Sequence, residues 1–156
     1  MGAKYNLARS RLKIYFILLL SISLLLGACG DGVSEEDREA VYTLIEWKLY
    51  YAGVEDMNGY MWTLHPDSPV YSDTQSQMAI AFREFDLAYE IEQWEIISIN
   101  SESARVAVVQ VTRKVAGSQP FSDNRIEGIH TLRKNSEGEW KIYGSEFNMD
   151  TIEFLN

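Results

Sequence analysis

The chain holds one cysteine, Cys29, in 156 residues. That excludes a disulfide framework and a metal site built on several thiolates. It holds two histidines, His65 and His130, and their spacing to carboxylates forms no transition-metal pattern. A glycine-rich phosphate loop, a G-x-S-x-G turn and an H-E-x-x-H helix are all missing. No motif calls for a cofactor, and none is expected. Internal repeats and low-complexity segments are also absent. Positive charge is scarce beyond the first 28 residues, which hold Lys4, Arg9, Arg11 and Lys13 and no acid. Without those four, ten Lys and Arg face all 23 Asp and Glu, a net charge near −13. Such a surface repels nucleic acid and anionic lipid headgroups, so nucleic-acid binding is excluded.

The first apolar run is short as well. Ile14 to Leu26 follows the basic start, broken only by Ser21 and Ser23. As a helix it would reach roughly 20 Å, against a hydrocarbon core of about 30 Å. A basic region, a short apolar region and small residues form the layout of a secretory signal. Its end, Leu26-Gly27-Ala28-Cys29, resembles the lipobox of bacterial lipoproteins. Small side chains there admit a peptidase, and the thiol accepts a diacylglycerol thioether. The resemblance implies cleavage before Cys29, lipidation of Cys29, and anchoring at the extracytoplasmic face of a bacterial cell membrane. Two or three acyl chains, at about 0.8 kcal/mol per buried methylene, make a stable anchor. The reading divides the chain into a signal (1–28), a lipidated cysteine with a short tether (29–33) and one domain (34–156). Once Cys29 carries lipid, no thiol remains for catalysis or metal binding.

The domain reads as three helices followed by strands. Ser34 with Asp37 three residues on predicts a capped helix start, and Glu35 and Glu36 suit the positive end of the helix dipole. Val41, Leu44, Ile45, Lys48 and Leu49 fall on one helical face, and Gly53 ends it. A second helix is expected from Asp56 to about Leu64, stopped by Pro66. A third is expected after the caps Ser72, Asp73 and Thr74, to about Asp86, burying Met78, Ala81, Phe82 and Phe85. Alternation then predicts strands at 90–99, 104–115, 124–134 and 140–147, with a hairpin turn at 135–138. The tail from Met149 is expected to pack as a short strand or helix. The fold class is α+β: three N-terminal helices on a curved four-stranded antiparallel sheet, leaving a cavity between the layers.

The domain resembles the nuclear transport factor two-like superfamily, with its SnoaL-like members. The resemblance rests on Tyr60-Met61-Trp62-Thr63-Leu64-His65-Pro66-Asp67-Ser68-Pro69, on Ile129-His130-Thr131-Leu132-Arg133-Lys134 and on Gly138-Glu139-Trp140-Lys141-Ile142-Tyr143. It implies a cone-shaped cystatin-like roll, and it covers isomerases, dehydratases, cyclases and non-enzymes alike. It supplies no catalytic set residue by residue.

His130 is the one motivated candidate for acid–base chemistry, because imidazole titrates near neutrality. A simple hairpin register sets it opposite Tyr143, on an apolar face that is either cavity lining or core. His130, Tyr143 and Trp62 are the expected ligand-binding residues. His65 and Asp67 straddle Pro66 and read as turn residues. The same register sets Glu146 opposite Glu127, where two solvated acids are the plainer reading. Asp86 is a further carboxylate at a helix end. The expected function is a non-catalytic module for a small molecule, an apolar one included, or a protein. The alternative is a SnoaL-like acid–base enzyme, which requires His130 to be open to solvent. The outward sheet face, with Arg105, Val109, Val111 and Thr131, leaves a homodimer open. Replacing Cys29 by serine is expected to abolish incorporation of an alkyne-labelled fatty acid into the expressed chain. Label retained by the serine variant would place the lipid elsewhere.

Overall fold

The structure, a computed structural model, describes residues 33–117 and 119–155. The expected signal, Cys29 and the tether up to Gly32 lie outside them. Ser34 opens the first helix, α1 (Glu35–Gly53), as its neighbours predict. Its Oγ accepts a hydrogen bond from the Asp37 amide at 3.0 Å, while Asp37 Oδ2 accepts from the Ser34 amide at 3.4 Å. The other oxygen of Asp37 reaches across to the sheet, accepting from Trp140 Nε1 at 2.9 Å and pairing with Lys134 Nζ at 2.7 Å. Those bonds, Lys134's first, hold the Asp37 carboxyl well below the usual carboxylate range. One side chain thus caps a helix and pins it to a hairpin.

The buried face of α1 is Val41, Leu44, Ile45, Lys48, Leu49 and Ala52. Helix α2 (Met57–Trp62) is capped by Asp56, whose Oδ1 accepts from the Gly59 amide at 3.0 Å. Helix α3 (Tyr71–Glu84) departs from expectation at its start. Its N-cap is Val70, with no side-chain bond, and Ser72, Asp73 and Thr74 lie inside the first turn. The preceding turn is held instead by Ser68, whose Oγ donates to the Tyr143 carbonyl at 2.7 Å and accepts from the Val70 amide at 3.3 Å. No residue of α3 is fully buried; Met78 and Phe82 are half-buried against the core. Phe85 has left the helix as its extended C-cap and packs edge-on against Phe121 at 5.8 Å.

The strands are β1 (Asp86–Ile99), β2 (Ser103–Ala116), β3 (Asn124–Lys134) and β4 (Trp140–Phe147), antiparallel in that order. A 3-10 turn (Met149–Thr151) then leads to a two-residue fifth strand, β5 (Glu153–Phe154), which pairs with Asn124 and Arg125. The inner face carries cross-strand rows that repeat the period of two. Ile99, Ala104, Leu132 and Ile142 form one; Ile96, Val106, His130 and Ser145 the next; Trp94, Val108, Gly128 and Phe147 the third. The core lies where Val41, Ile45, Val106, Leu132 and Ile142, each no more than 1 % exposed, meet. Beyond β4 the chain segment Thr63–His65 continues the sheet, with Ile142 donating to the Thr63 carbonyl and His65 donating to the Ile142 carbonyl, both at 2.9 Å.

Two one-residue offsets from the simple hairpin register, which would set Lys134 opposite Glu139, change the site. Lys134 pairs with Trp140 and Leu132 with Ile142, but Thr131 pairs with Gly144, so Tyr143 is an extra residue in a β-bulge. Every pairing beyond it moves along β4. The close fit there is testable at Gly128, where an added Cβ would sit 2.5 Å from the Phe147 ring and 3.0 Å from the Glu146 carbonyl. Gly128→Ala is expected to lose about 1–3 kcal/mol in urea denaturation. Combined with Phe147→Ala, the loss is expected to be less than the sum of the two single losses, because removing the Phe147 ring relieves the clash that the added Cβ creates.

Candidate functional site

A cavity of about 190 Å³ opens between the helices and β4, walled by Lys48 of α1, Tyr60 of α2, Thr74 and Met78 of α3, and Ser145 and Phe147 of β4. Lys48 reaches it because position 48 falls on the apolar stripe of α1, between Ile45 and Leu49 in the buried set. The residue is only 6 % exposed. Its ammonium donates to Ser145 Oγ at 3.5 Å, and the Tyr60 and Phe147 rings lie 5.9 and 6.0 Å away. Among the described residues, no carboxylate forms an ion pair with it. Burial pulls its pKa down to about 8.

His130 stands behind Ser145. It has no exposed surface, its Nδ1 shares a hydrogen bond of 2.7 Å with Ser145 Oγ, and its ring meets Phe147 edge-on at 5.8 Å. Nε2 is buried with no partner among the described residues. Burial, and then the charge of Lys48, push the His130 pKa well below its ordinary value, so the ring is neutral. Ser145 itself is exposed. The cavity therefore offers a hydroxyl at its mouth, an ammonium beside that hydroxyl, and a neutral imidazole sealed behind it.

The three residues expected to share a ligand do not converge. The hairpin pairs Lys134 with Trp140 rather than Glu139 and the bulge adds one more residue, so His130 stands opposite Ser145, not Tyr143. Tyr143 packs instead beneath the Arg133 guanidinium, 3.8 Å from its ring centroid, and edge-on to His65 at 5.5 Å. Trp62 lies in a separate groove of about 710 Å³ with Trp47 and Trp140, where Lys141 Nζ covers its ring at 3.6 Å. Glu146 faces Ile129 rather than Glu127, for the same reason of register. Both acids are exposed and line a groove of about 580 Å³ on the outer face of the sheet, with Gln93, Glu95 and Val109. His65 Nδ1 accepts from the Asp67 amide at 3.0 Å, and its Nε2 lies 3.4 Å from the Lys134 carbonyl, so that pair is turn structure. Asp86 is exposed at the start of β1. Among the described residues, no three His, Cys, Asp or Glu side chains gather where a metal could sit.

Sequence reasoning missed Lys48 and Ser145. The signal for Lys48 was present, since a lysine on an otherwise apolar helical stripe must be buried or bent away. Ser145 had none, because its place opposite His130 depends on the bulge.

The buried ammonium has a measurable signature. Between pH 8 and 10.5 the unfolded chain still holds a proton at Lys48 that the folded chain has released. Each pH unit upward in that window then favours folding by about 1.4 kcal/mol. The raised pKa of neighbouring Tyr60, a consequence of burial, acts in the opposite sense only once free tyrosine begins to ionise near pH 10. Urea denaturation from pH 8 to 10 is expected to show stability rising in the wild-type chain relative to Lys48→Met, with the variant at least as stable at pH 7.

Solved structures resemble this arrangement. A cystatin-like protein from Nostoc punctiforme superposes with a TM-score of 0.62 at 12% identity, over 74% of this chain and 92% of that one. An NTF2-like protein from Pseudomonas putida gives 0.62 at 15% identity, over 80% and 96%. A ketosteroid isomerase-like protein from Erwinia carotovora gives 0.52 at 17% identity, over 73% and 96%. At those identities the likeness concerns the fold, which is NTF2-like. In sequence, the chain is 36% identical over 85 residues to the anti-sigma-I factor RsgI9 of Acetivibrio thermocellus, a match spanning 54% of this chain and 12% of that protein. The family model for the C-terminal domain of the anti-sigma-I factor RsgI9 matches residues 43–155, from the middle of α1 past the last strand, and the chain belongs to that family.

Proposed function

We propose that this chain is a lipid-anchored, extracytoplasmic binding module without catalytic activity, and that the helix–sheet cavity is its ligand site. The observation that carries this reading is the sealing of His130, whose exposure is zero. The acid–base alternative needs that imidazole to reach a substrate, and Phe147 and Ser145 stand in the way. What the cavity does present are groups that hold a ligand: an ammonium, a hydroxyl, and apolar walls from Leu64, Met78 and Ile142.

The family supports a regulatory setting, since the domain is shared with a protein named as an anti-sigma-I factor. This chain matches 12% of that protein's length, in its C-terminal domain, so the role proposed here is that of the domain alone. With a signal-like leader and a lipobox-like Cys29, it would face the outside of the membrane. There it would read a molecule of the envelope or the medium, and its acidic surface would favour neutral or basic partners.

Native mass spectrometry of the unit Val33–Asn156, purified from its native host, tests this directly. A small molecule retained through gentle desolvation and lost on denaturation is the expected result. A consistently empty protein, with no thermal shift against an extract of host metabolites, would overturn it.

A further inference from the structure

We propose that the cavity takes a small monocarboxylate, its oxygens held by Lys48 Nζ and Ser145 Oγ and its apolar tail packed among Leu64, Met78, Ile142 and Phe147. This rests on the reading of the cavity as a ligand site, and it names the ligand's chemistry.

Charge is the first argument. The chain has 23 acidic side chains, and among the described residues none pairs with the ammonium of Lys48. Lys134 and Lys141 are treated differently: Lys134 has Asp37 at 2.7 Å and Lys141 has Glu139 at 3.2 Å, while Lys114 donates to the Gln119 carbonyl at 2.7 Å. A buried charge without a partner is costly. Lys48 also lies in the wall of a cavity rather than in solid packing, so a counter-charge can come from outside.

Hydrogen-bond direction is the second. Ser145 has one proton to give, and it lies between His130 Nδ1 at 2.7 Å and the cavity. An anion at the mouth would take the Ser145 proton. His130 would then be the tautomer that donates Nδ1–H to Ser145 Oγ, leaving the buried Nε2 as a bare acceptor rather than an unused donor. The imidazole would donate to the hydroxyl, and the hydroxyl and the ammonium would both present hydrogens toward one carboxylate. A neutral ligand that donates a proton has no comparable place.

Size and wall chemistry narrow the class further. At about 190 Å³ the cavity is smaller than the roughly 300–1,000 Å³ of pockets that enclose drug-sized ligands. One cation matches one negative charge. The apolar walls disfavour a multiply charged ion such as phosphate, whose remaining oxygens would lose water without gaining partners. A short aliphatic or single-ring carboxylate satisfies both the ammonium and the walls.

The experiment is a titration of the unit Val33–Asn156, after denaturing purification and refolding to empty it, followed by two-dimensional amide NMR. The probes are butyrate, its neutral isostere butyramide, benzoate and inorganic phosphate. Butyrate or benzoate is expected to saturate, shifting the amides of Gly144, Ser145 and Phe147, with butyramide and phosphate at least tenfold weaker. Lys48→Met is expected to lose at least tenfold in carboxylate affinity while keeping its dispersed spectrum, and Ser145→Ala to lose less. Equal binding of butyrate and butyramide would overturn the proposal. So would undiminished carboxylate binding by Lys48→Met, or a Lys48→Arg variant that does no better than Met. If native mass spectrometry finds a neutral molecule that Lys48→Met still retains, the carboxylate falls and the binding reading stands. If no host molecule and none of the four probes binds, both fall.

Discussion

Everything in this domain depends on the burial of one face of α1 in the hollow of a curled sheet. Val41 and Ile45 lose essentially all contact with water there, against Val106, Leu132 and Ile142. Fully burying a Val, Leu or Ile side chain contributes roughly 1.5–3 kcal/mol. Among the described residues no other helix has such a face: α3 has no fully buried residue, and α2 contributes chiefly Tyr60 and Met61. The fixed position of α1 in turn decides where Lys48 sits. Because its neighbours in the stripe must face the sheet, the lysine must too. Asp37 fixes the same helix at its start, through Trp140 and Lys134.

Much of this was legible in the residues. The capping box at Ser34, the bounds of β3 and β4, and the turn at 135–138 follow from patterns that depend on near neighbours only. Gly138, with φ at +81°, is a place where the chain needs glycine. The start of α3 was misread because three good capping residues follow one another, while the turn before them is held by Ser68 through a bond to β4. Such a contact spans 75 residues and leaves no local trace. The strand pairing failed at two points, at the hairpin end, where Lys134 meets Trp140 rather than Glu139, and at the bulge, the second for a similar cause. A bulge at Tyr143 is decided by how β4 accommodates Thr63–His65 on one side and β3 on the other. Two one-residue offsets, the hairpin closing Lys134 on Trp140 rather than Glu139 and the extra residue at Tyr143, moved His130 from Tyr143 to Ser145 and separated two glutamates that simple counting had set face to face.

The site that emerges differs in kind from the one expected. A titrating histidine in a cavity would suggest proton transfer. A sealed, neutral histidine supporting a serine, beside an ammonium that no carboxylate among the described residues pairs with, suggests capture. Lys48 weakens the folded state, since an apolar residue of similar length would avoid the desolvation of its charge. Residues that break the local rules of packing without a structural return are commonly those that serve a function.

The two edges of the sheet are finished in different ways. At β4 the backbone is covered by Thr63–His65, so its amides and carbonyls there have partners within the chain. At β1 the pairing with β2 slips three times along fourteen residues, and Glu90, Glu92 and Glu95 are exposed along that strand. Irregular spacing and repeated negative charge make β1 a poor template for a strand from another molecule. Under the proposed lipid anchor, where neighbours would meet in two dimensions, an edge that resists pairing would keep crowding from becoming aggregation.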